Sequence, residues 1–175
     1  VVALAEIGDK TQLLTLVLAA RYRKPWPIVA GIFLATLVNH GIAGAVGAWL
    51  TRTIGPDAMR WILGISFIAM AAWMLVPDKL DEDDSAERRL GGVFLSTLVL
   101  FFLVEIGDKT QIATVALAAR FDSLLAVVMG TTIGMILANA PVAFFGEALA
   151  RRLPVRTVHV VAAIVFAVAW PVMLS

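Results

Sequence analysis

Glu6, Asp9 and Lys10, and again Glu105, Asp108 and Lys109, are the residues of this sequence best suited to chemistry. Each triplet belongs to a run EIGDKTQ, at Glu6–Gln12 and at Glu105–Gln111. Both runs sit in apolar stretches, where a charged side chain costs from about 2.5 kcal/mol upward and rarely persists without a task. Residues three and four apart share a face of a helix. Glu6, Asp9 and Lys10 are therefore expected in one sector with Gln12 continuing its edge, and Glu105, Asp108, Lys109 and Gln111 likewise. Together the runs offer four carboxylates, two amide oxygens and two ammonium groups, a charge of −2. A divalent cation makes that set neutral, the state of lowest energy away from water. The donors are oxygens, which suit Ca²⁺, Mn²⁺ or Mg²⁺ and suit Zn²⁺ and Cu⁺ poorly. Mg²⁺ gives up its water reluctantly, which favours the other two. The expected metal ligands are Glu6, Asp9, Glu105, Asp108, Gln12 and Gln111.

The neighbouring residues suggest supporting roles. Thr11 and Thr110 can add hydroxyl oxygens if the helix is locally unwound, and point elsewhere on a regular one. Gly8 and Gly107 let a facing helix or an ion approach the backbone. Carboxylates crowded together out of water resist ionisation together, so protons can replace the metal, with Lys10 and Lys109 as internal counter-ions. The plainer alternative is structural: Glu6–Lys10 and Glu105–Lys109 are i,i+4 pairs in the favourable order. That alternative leaves Asp9 and Asp108 unpaired. Asn39, His40 and Asn139 are weaker signals, equally compatible with a ligand or supporting role and with plain bonding between helices.

The elements that carry these residues belong in lipid. Of 175 residues 61% are hydrophobic and 15% charged, with a mean hydropathy of +0.92. A soluble domain is about half apolar and a quarter charged. The net charge of +1 gives no case for nucleic acid, and the lack of cysteine removes disulfides and thiolate chemistry. No nucleophile–base arrangement points to an enzyme, and nothing calls for a prosthetic group. A spanning helix needs about 20 apolar residues. Six candidate spans are expected at about 1–20, 27–50, 59–76, 91–119, 123–149 and 156–174. Pro25, Pro27, Pro56, Pro77 and Pro154 fall at or beside their boundaries. Asp78–Arg89 is a solvated connector. Trp26, Trp49, Trp61 and Trp170 read as interfacial anchors, Glu147 as interfacial, and Gly41, Gly44 and Gly47 as sites of close helix packing. Span one has five residues before Glu6 where span four has about fourteen before Glu105, so roughly ten residues of the first helix are expected to lie before Val1.

Self-similarity fixes the arrangement. From Glu6 to Arg21, twelve of sixteen residues are repeated 99 positions later, and the offset continues at Gly31/Gly130, Gly47/Gly146 and Phe67/Phe166. The fold expected is an all-α membrane protein of six transmembrane helices, as two three-helix repeats at 1–77 and 91–175 joined by an acidic cytoplasmic connector at 78–90. Three is odd, so the second repeat enters from the opposite face and the two are inverted. Asp9 and Asp108 each lie twelve residues from an arginine at a span end, Arg21 or Arg120. That is about 18 Å along a helix, close to half the membrane. Nine Lys and Arg residues lie on the side of loops one–two, three–four and five–six, against three opposite. Both termini are thus expected outside the cytoplasm.

Two copies of Glu-φ-Gly-Asp-(Lys/Arg)-(Thr/Ser), one per half, resemble the second calcium/cation antiporter family of the LysE superfamily. Glu6–Thr11 and Glu105–Thr110 match without substitution. The resemblance implies Glu6, Asp9, Glu105 and Asp108 as ion ligands, and Mn²⁺ and Ca²⁺ as substrates exchanged for protons. The expectation is an inner-membrane Mn²⁺ exporter, with Ca²⁺ as a further substrate, whose partners are the ion, protons and lipid and whose homo-oligomeric state is open. The rivals are export of an organic cation or amino acid of the LysE type, and a non-transporting membrane scaffold.

Overall fold

The computed structural model describes residues 2–76, 91–146 and 155–174, and every regular element among them is a helix. In chain order these are α1 Val2–Glu6, α2 Lys10–Tyr22, α3 Pro25–Thr53, α4 Pro56–Trp73, α5 Val93–Glu105, α6 Lys109–Arg120, α7 Leu124–Phe145 and α8 Val155–Leu174. The acidic connector 78–90, Glu147, Arg151 and Arg152 lie outside the described residues, as do the side chains of Arg156, His159 and Trp170. Proline opens α3 and α4, where its missing N–H costs no helical bond.

The main departure from expectation lies in the motifs. Spans 1–20 and 91–119 are not continuous helices; each breaks inside EIGDKTQ, between Glu6 and Lys10 and between Glu105 and Lys109. The cause is local. Gly8 has φ 83° and Gly107 φ 78°, a left-handed backbone that costs other L-residues about 1–2 kcal/mol. Asp9 and Asp108 follow in extended conformation, at φ −75° and −77°, as the N-caps of α2 and α6. Short bonds Asp9 N–H to Glu6 C=O (3.1 Å) and Asp108 N–H to Glu105 C=O (3.2 Å) close each turn. Glu6 and Asp9 therefore do not share a helical face: one ends a helix and the other begins the next.

Packing crosses between the halves. The long helix α3 lies against α5 and α6, and α7 lies against α1 and α2, so each motif is covered by the long helix of the other half. Gly47 makes the contact of α3 with α6 possible, and Gly44 lets α3 approach α7. A Cβ on Gly44 would run into Leu124 Cδ1 and stand 3.2 Å from Val128 Cγ2, both on α7, and one on Gly47 would run into the Val115 carbonyl. Gly41, by contrast, faces open space and serves no packing. Helices α4 and α8 pair with each other, and Phe67 and Phe166, 99 positions apart, meet there with ring centroids 5.5 Å apart. A buried cluster of Phe67, Met70, Met74, Ala162 and Phe166 fills that end. A second cluster of Leu14, Ile28, Ile32, Phe101 and Met135 packs α2, α3, α5 and α7.

Helices α3 and α7 are each long and apolar enough to cross a membrane, and α5 and residues 160–169 are shorter apolar helices. Their outer faces carry exposed large apolar side chains, among them Ile42, Leu103, Leu137 and Val168. Trp26, Trp49 and Trp61 are 73%, 61% and 63% exposed close to helix ends, where indole rings suit the membrane–water boundary.

Candidate metal centre

The two breaks meet in the interior. Glu6, Asp9, Glu105, Asp108, Lys109, Thr11 and Thr110 are all buried. One carboxylate oxygen from each of Glu6, Asp9 and Asp108 lies within 4.8 Å of the other two. The positive N-terminal ends of α2 and α6 open on this cluster, which favours negative charge there.

The lysines pair across the halves. Lys10 Nζ is 3.4 Å from Asp108 Oδ1, and Lys109 Nζ is 3.7 Å from Asp9 Oδ1. The i,i+4 pairs of the structural alternative give way to these because the break moves Glu6 and Glu105 off the helices that carry Lys10 and Lys109. Lys109 Nζ also stands 5.9 Å from the centre of the Trp73 ring, within cation–π range.

The glutamates are held by threonines. Thr11 donates its hydroxyl to Glu6 Oε2 at 2.6 Å, and Thr110 donates to Glu105 Oε1 at 2.5 Å. Glu6 Oε1 and Glu105 Oε2, both buried, accept no hydrogen bond. With each aspartate facing a lysine, the two glutamates carry the net −2 of the set. Glu105 is not one of the three residues that converge within 4.8 Å; its Oε1 lies 3.7 Å from His40 Nε2.

The glutamines brace the breaks. Gly8 N–H donates to Gln12 Oε1 at 2.8 Å and Gly107 N–H to Gln111 Oε1 at 2.7 Å. Gln12 Nε2 also donates to Ala138 C=O on α7. Asn39 donates to Phe102 C=O on α5, and Asn139 accepts from Thr15 on α2 at 2.7 Å while donating to Met135 C=O. These asparagines thus bond between helices. His40, a weaker signal in the sequence, lies beside Glu105, and Thr15, which the sequence does not single out, bonds Asn139. The signal for His40 is its register, since it stands 99 positions before Asn139.

An apolar groove of about 700 Å³ opens between α1, α6 and α7, and no EIGDKTQ residue lines it.

An apolar helical chain with carboxylates and lysines gathered in its interior is a membrane protein of the ion-handling class. Residues 1–82 and 93–174 match the family described as "Divalent cation/proton antiporter GDT1", and the chain belongs to that family of transporters. A Vibrio cholerae protein named "Putative manganese exporter" is 52% identical over 166 residues, covering 94% of this chain and 82% of that protein. A Synechocystis GDT1-like protein is 27% identical over 183 residues, 94% of this chain and 88% of its own. GDT1-like protein 3 of Arabidopsis thaliana is 26% identical over 190 residues, 94% of this chain and 64% of its own. No solved structure matches the chain.

Proposed function

We propose that this protein exports Mn²⁺, with Ca²⁺ as a further substrate, across the inner membrane in exchange for protons. The observation that carries this reading is the convergence of Glu6, Asp9 and Asp108 oxygens within 4.8 Å, with both lysines already paired to aspartates. A doubly charged guest then balances the two glutamates. Glu6, Asp9, Glu105 and Asp108 are the primary ligands in this reading. Gln12 and Gln111 have a second lone pair on their amide oxygens, and Thr11 and Thr110 orient the glutamates. Protons occupy the carboxylates when the metal leaves, and Lys10 and Lys109 hold the aspartates in place during the exchange.

The wider architecture in this reading is six spans in two inverted units, 1–77 and 91–175, with the connector 78–90 and its charges in the cytoplasm and both termini outside. Each broken pair, α1–α2 and α5–α6, makes one discontinuous span. Such spans commonly build midplane sites in secondary transporters with inverted repeats. The reciprocal Lys10–Asp108 and Lys109–Asp9 pairs and the Phe67–Phe166 ring contact support a pseudo-two-fold relation between the units. Rocking of one unit against the other opens the centre to each side in turn.

The test is flux into proteoliposomes that enclose a Mn²⁺- or Ca²⁺-sensitive dye, with and without a pH gradient. Uptake is expected to rise when the lumen is more acidic than the bath, and to vanish in Glu105→Gln and Asp108→Asn proteins that still elute as folded. Undiminished flux in those variants refutes the assignment.

A further inference from the structure

We propose that His40 is a nitrogen ligand for the transported cation, placed beside Glu105, and that it selects a first-row transition ion over Ca²⁺ and Mg²⁺. The proposal rests on the metal reading above and adds a donor that neither EIGDKTQ run contains.

Three observations converge on it. His40 is fully buried on α3, the helix that covers the second motif, and neither ring nitrogen has a hydrogen-bond partner. Buried polar groups are rarely left this way, because desolvation then goes uncompensated. Its Nε2 lies 3.7 Å from Glu105 Oε1, and the other oxygen of that carboxylate, Oε2, accepts no hydrogen bond. Ligands about 2.0–2.6 Å from a shared cation stand roughly 3–4.5 Å apart, so the pair is spaced to share one.

The second half shows what a purely bracing residue looks like in this register. Asn139, 99 positions on, accepts from Thr15 and donates to Met135. Its polar atoms are committed, whereas those of His40 are not. The two halves are therefore chemically unequal: Glu105 has a nitrogen donor at its side.

Selectivity follows from ligand chemistry. Ca²⁺ and Mg²⁺ take oxygen donors, while first-row transition ions accept neutral imidazole. A site of carboxylates alone would bind Ca²⁺ and Mn²⁺ on similar terms. One imidazole among them raises affinity for the transition ion and offers Ca²⁺ a poor donor.

The experiment loads the purified full chain with Mn²⁺ and records its pulsed EPR spectrum, alongside Mn²⁺ and Ca²⁺ uptake by proteoliposomes in competition. The wild type is expected to show nitrogen modulation from a directly bound imidazole, absent in His40→Asn, which copies the residue at the equivalent position. The Mn²⁺-over-Ca²⁺ preference is expected to fall about tenfold in His40→Asn and in His40→Gln, the scale at which altered metal surroundings change affinity. Bound Mn²⁺ without nitrogen modulation in the wild type overturns the proposal, and so does an unchanged preference in variants that still transport. In both cases the carboxylate site stands. Failure of the wild type to bind Mn²⁺ or Ca²⁺ at all removes the underlying metal reading with it.

Discussion

Lys10 lies 3.4 Å from Asp108, a residue 98 positions away in the chain, and its counterpart Lys109 lies 3.7 Å from Asp9. Each half thus supplies the counter-charge for the aspartate of the other. Such a pair is costly to break, because the buried aspartate left behind keeps its charge without compensation. The pairs also leave Glu6 and Glu105 as the acids whose charge a divalent guest can balance.

Lys10→Met is expected to lower the stability of the metal-free protein by about 3 kcal/mol, the scale for an orphaned buried charge. Saturating Mn²⁺ should recover much of that loss, since a ligand that binds only the folded state stabilises it. Thermal unfolding in detergent, with and without Mn²⁺, measures both. Equal losses in the two conditions would mean that Asp108 does not face the ion.

Thr11→Val and Thr110→Val remove the hydroxyls that hold Glu6 and Glu105. Each is expected to weaken Mn²⁺ binding about tenfold or more, as loss of a ligand's orienting partner does at other metal sites. Thr11→Ser and Thr110→Ser keep the donor and should stay within a fewfold of the parent. Isothermal titration of the detergent-solubilised protein separates these outcomes.

Gly107→Ala and Gly47→Ala test two different demands on glycine. At Gly107 a Cβ meets nothing within 4 Å, but φ is 78°, so the expected loss is the backbone strain of about 1–2 kcal/mol. At Gly47 the Cβ would meet the Val115 carbonyl on α6. That substitution must push α3 from the helix that follows the second motif, and it should cost stability and transport together. Unfolding midpoints and dye uptake on the same preparations give the comparison.

Phe67→Ala should destabilise the protein by about 3–5 kcal/mol, the usual loss for a buried phenylalanine. Its ring meets that of Phe166 at a tilt of 53° at the α4–α8 contact. Mn²⁺ affinity of the fraction that remains folded is expected to stay within a fewfold of the parent, which calorimetry can establish. A large loss of affinity would tie the α4–α8 contact directly to the metal centre.

Much of this arrangement was legible in the chain. The all-helical character follows from long apolar stretches, and the motifs announce themselves by being charged inside them and by recurring 99 positions apart. Helical spacing misled at one point. It predicts that Glu6, Asp9 and Lys10 share a face, whereas Gly8 and Gly107 turn the backbone and separate them. A glycine between two acids is compatible with both a helix and a turn, and tertiary contacts decide between them. The glutamines show the same limit: Gln12 and Gln111 look like ligands by composition, yet each takes a glycine N–H freed by the turn. His40 was visible as a residue, but its place beside Glu105 depends on α3 lying across α5 and α6. No local pattern encodes that crossing.

The crossing also bears on biogenesis. Helices α1 and α2 leave the ribosome long before α7, the element that covers them. Glu6 and Asp9 are therefore made before the helix that covers them, which lies in the last third of the polypeptide. A nascent chain cut short before α7 would leave Glu6 and Asp9 without that cover, and uncovered acids of this kind are costly away from water.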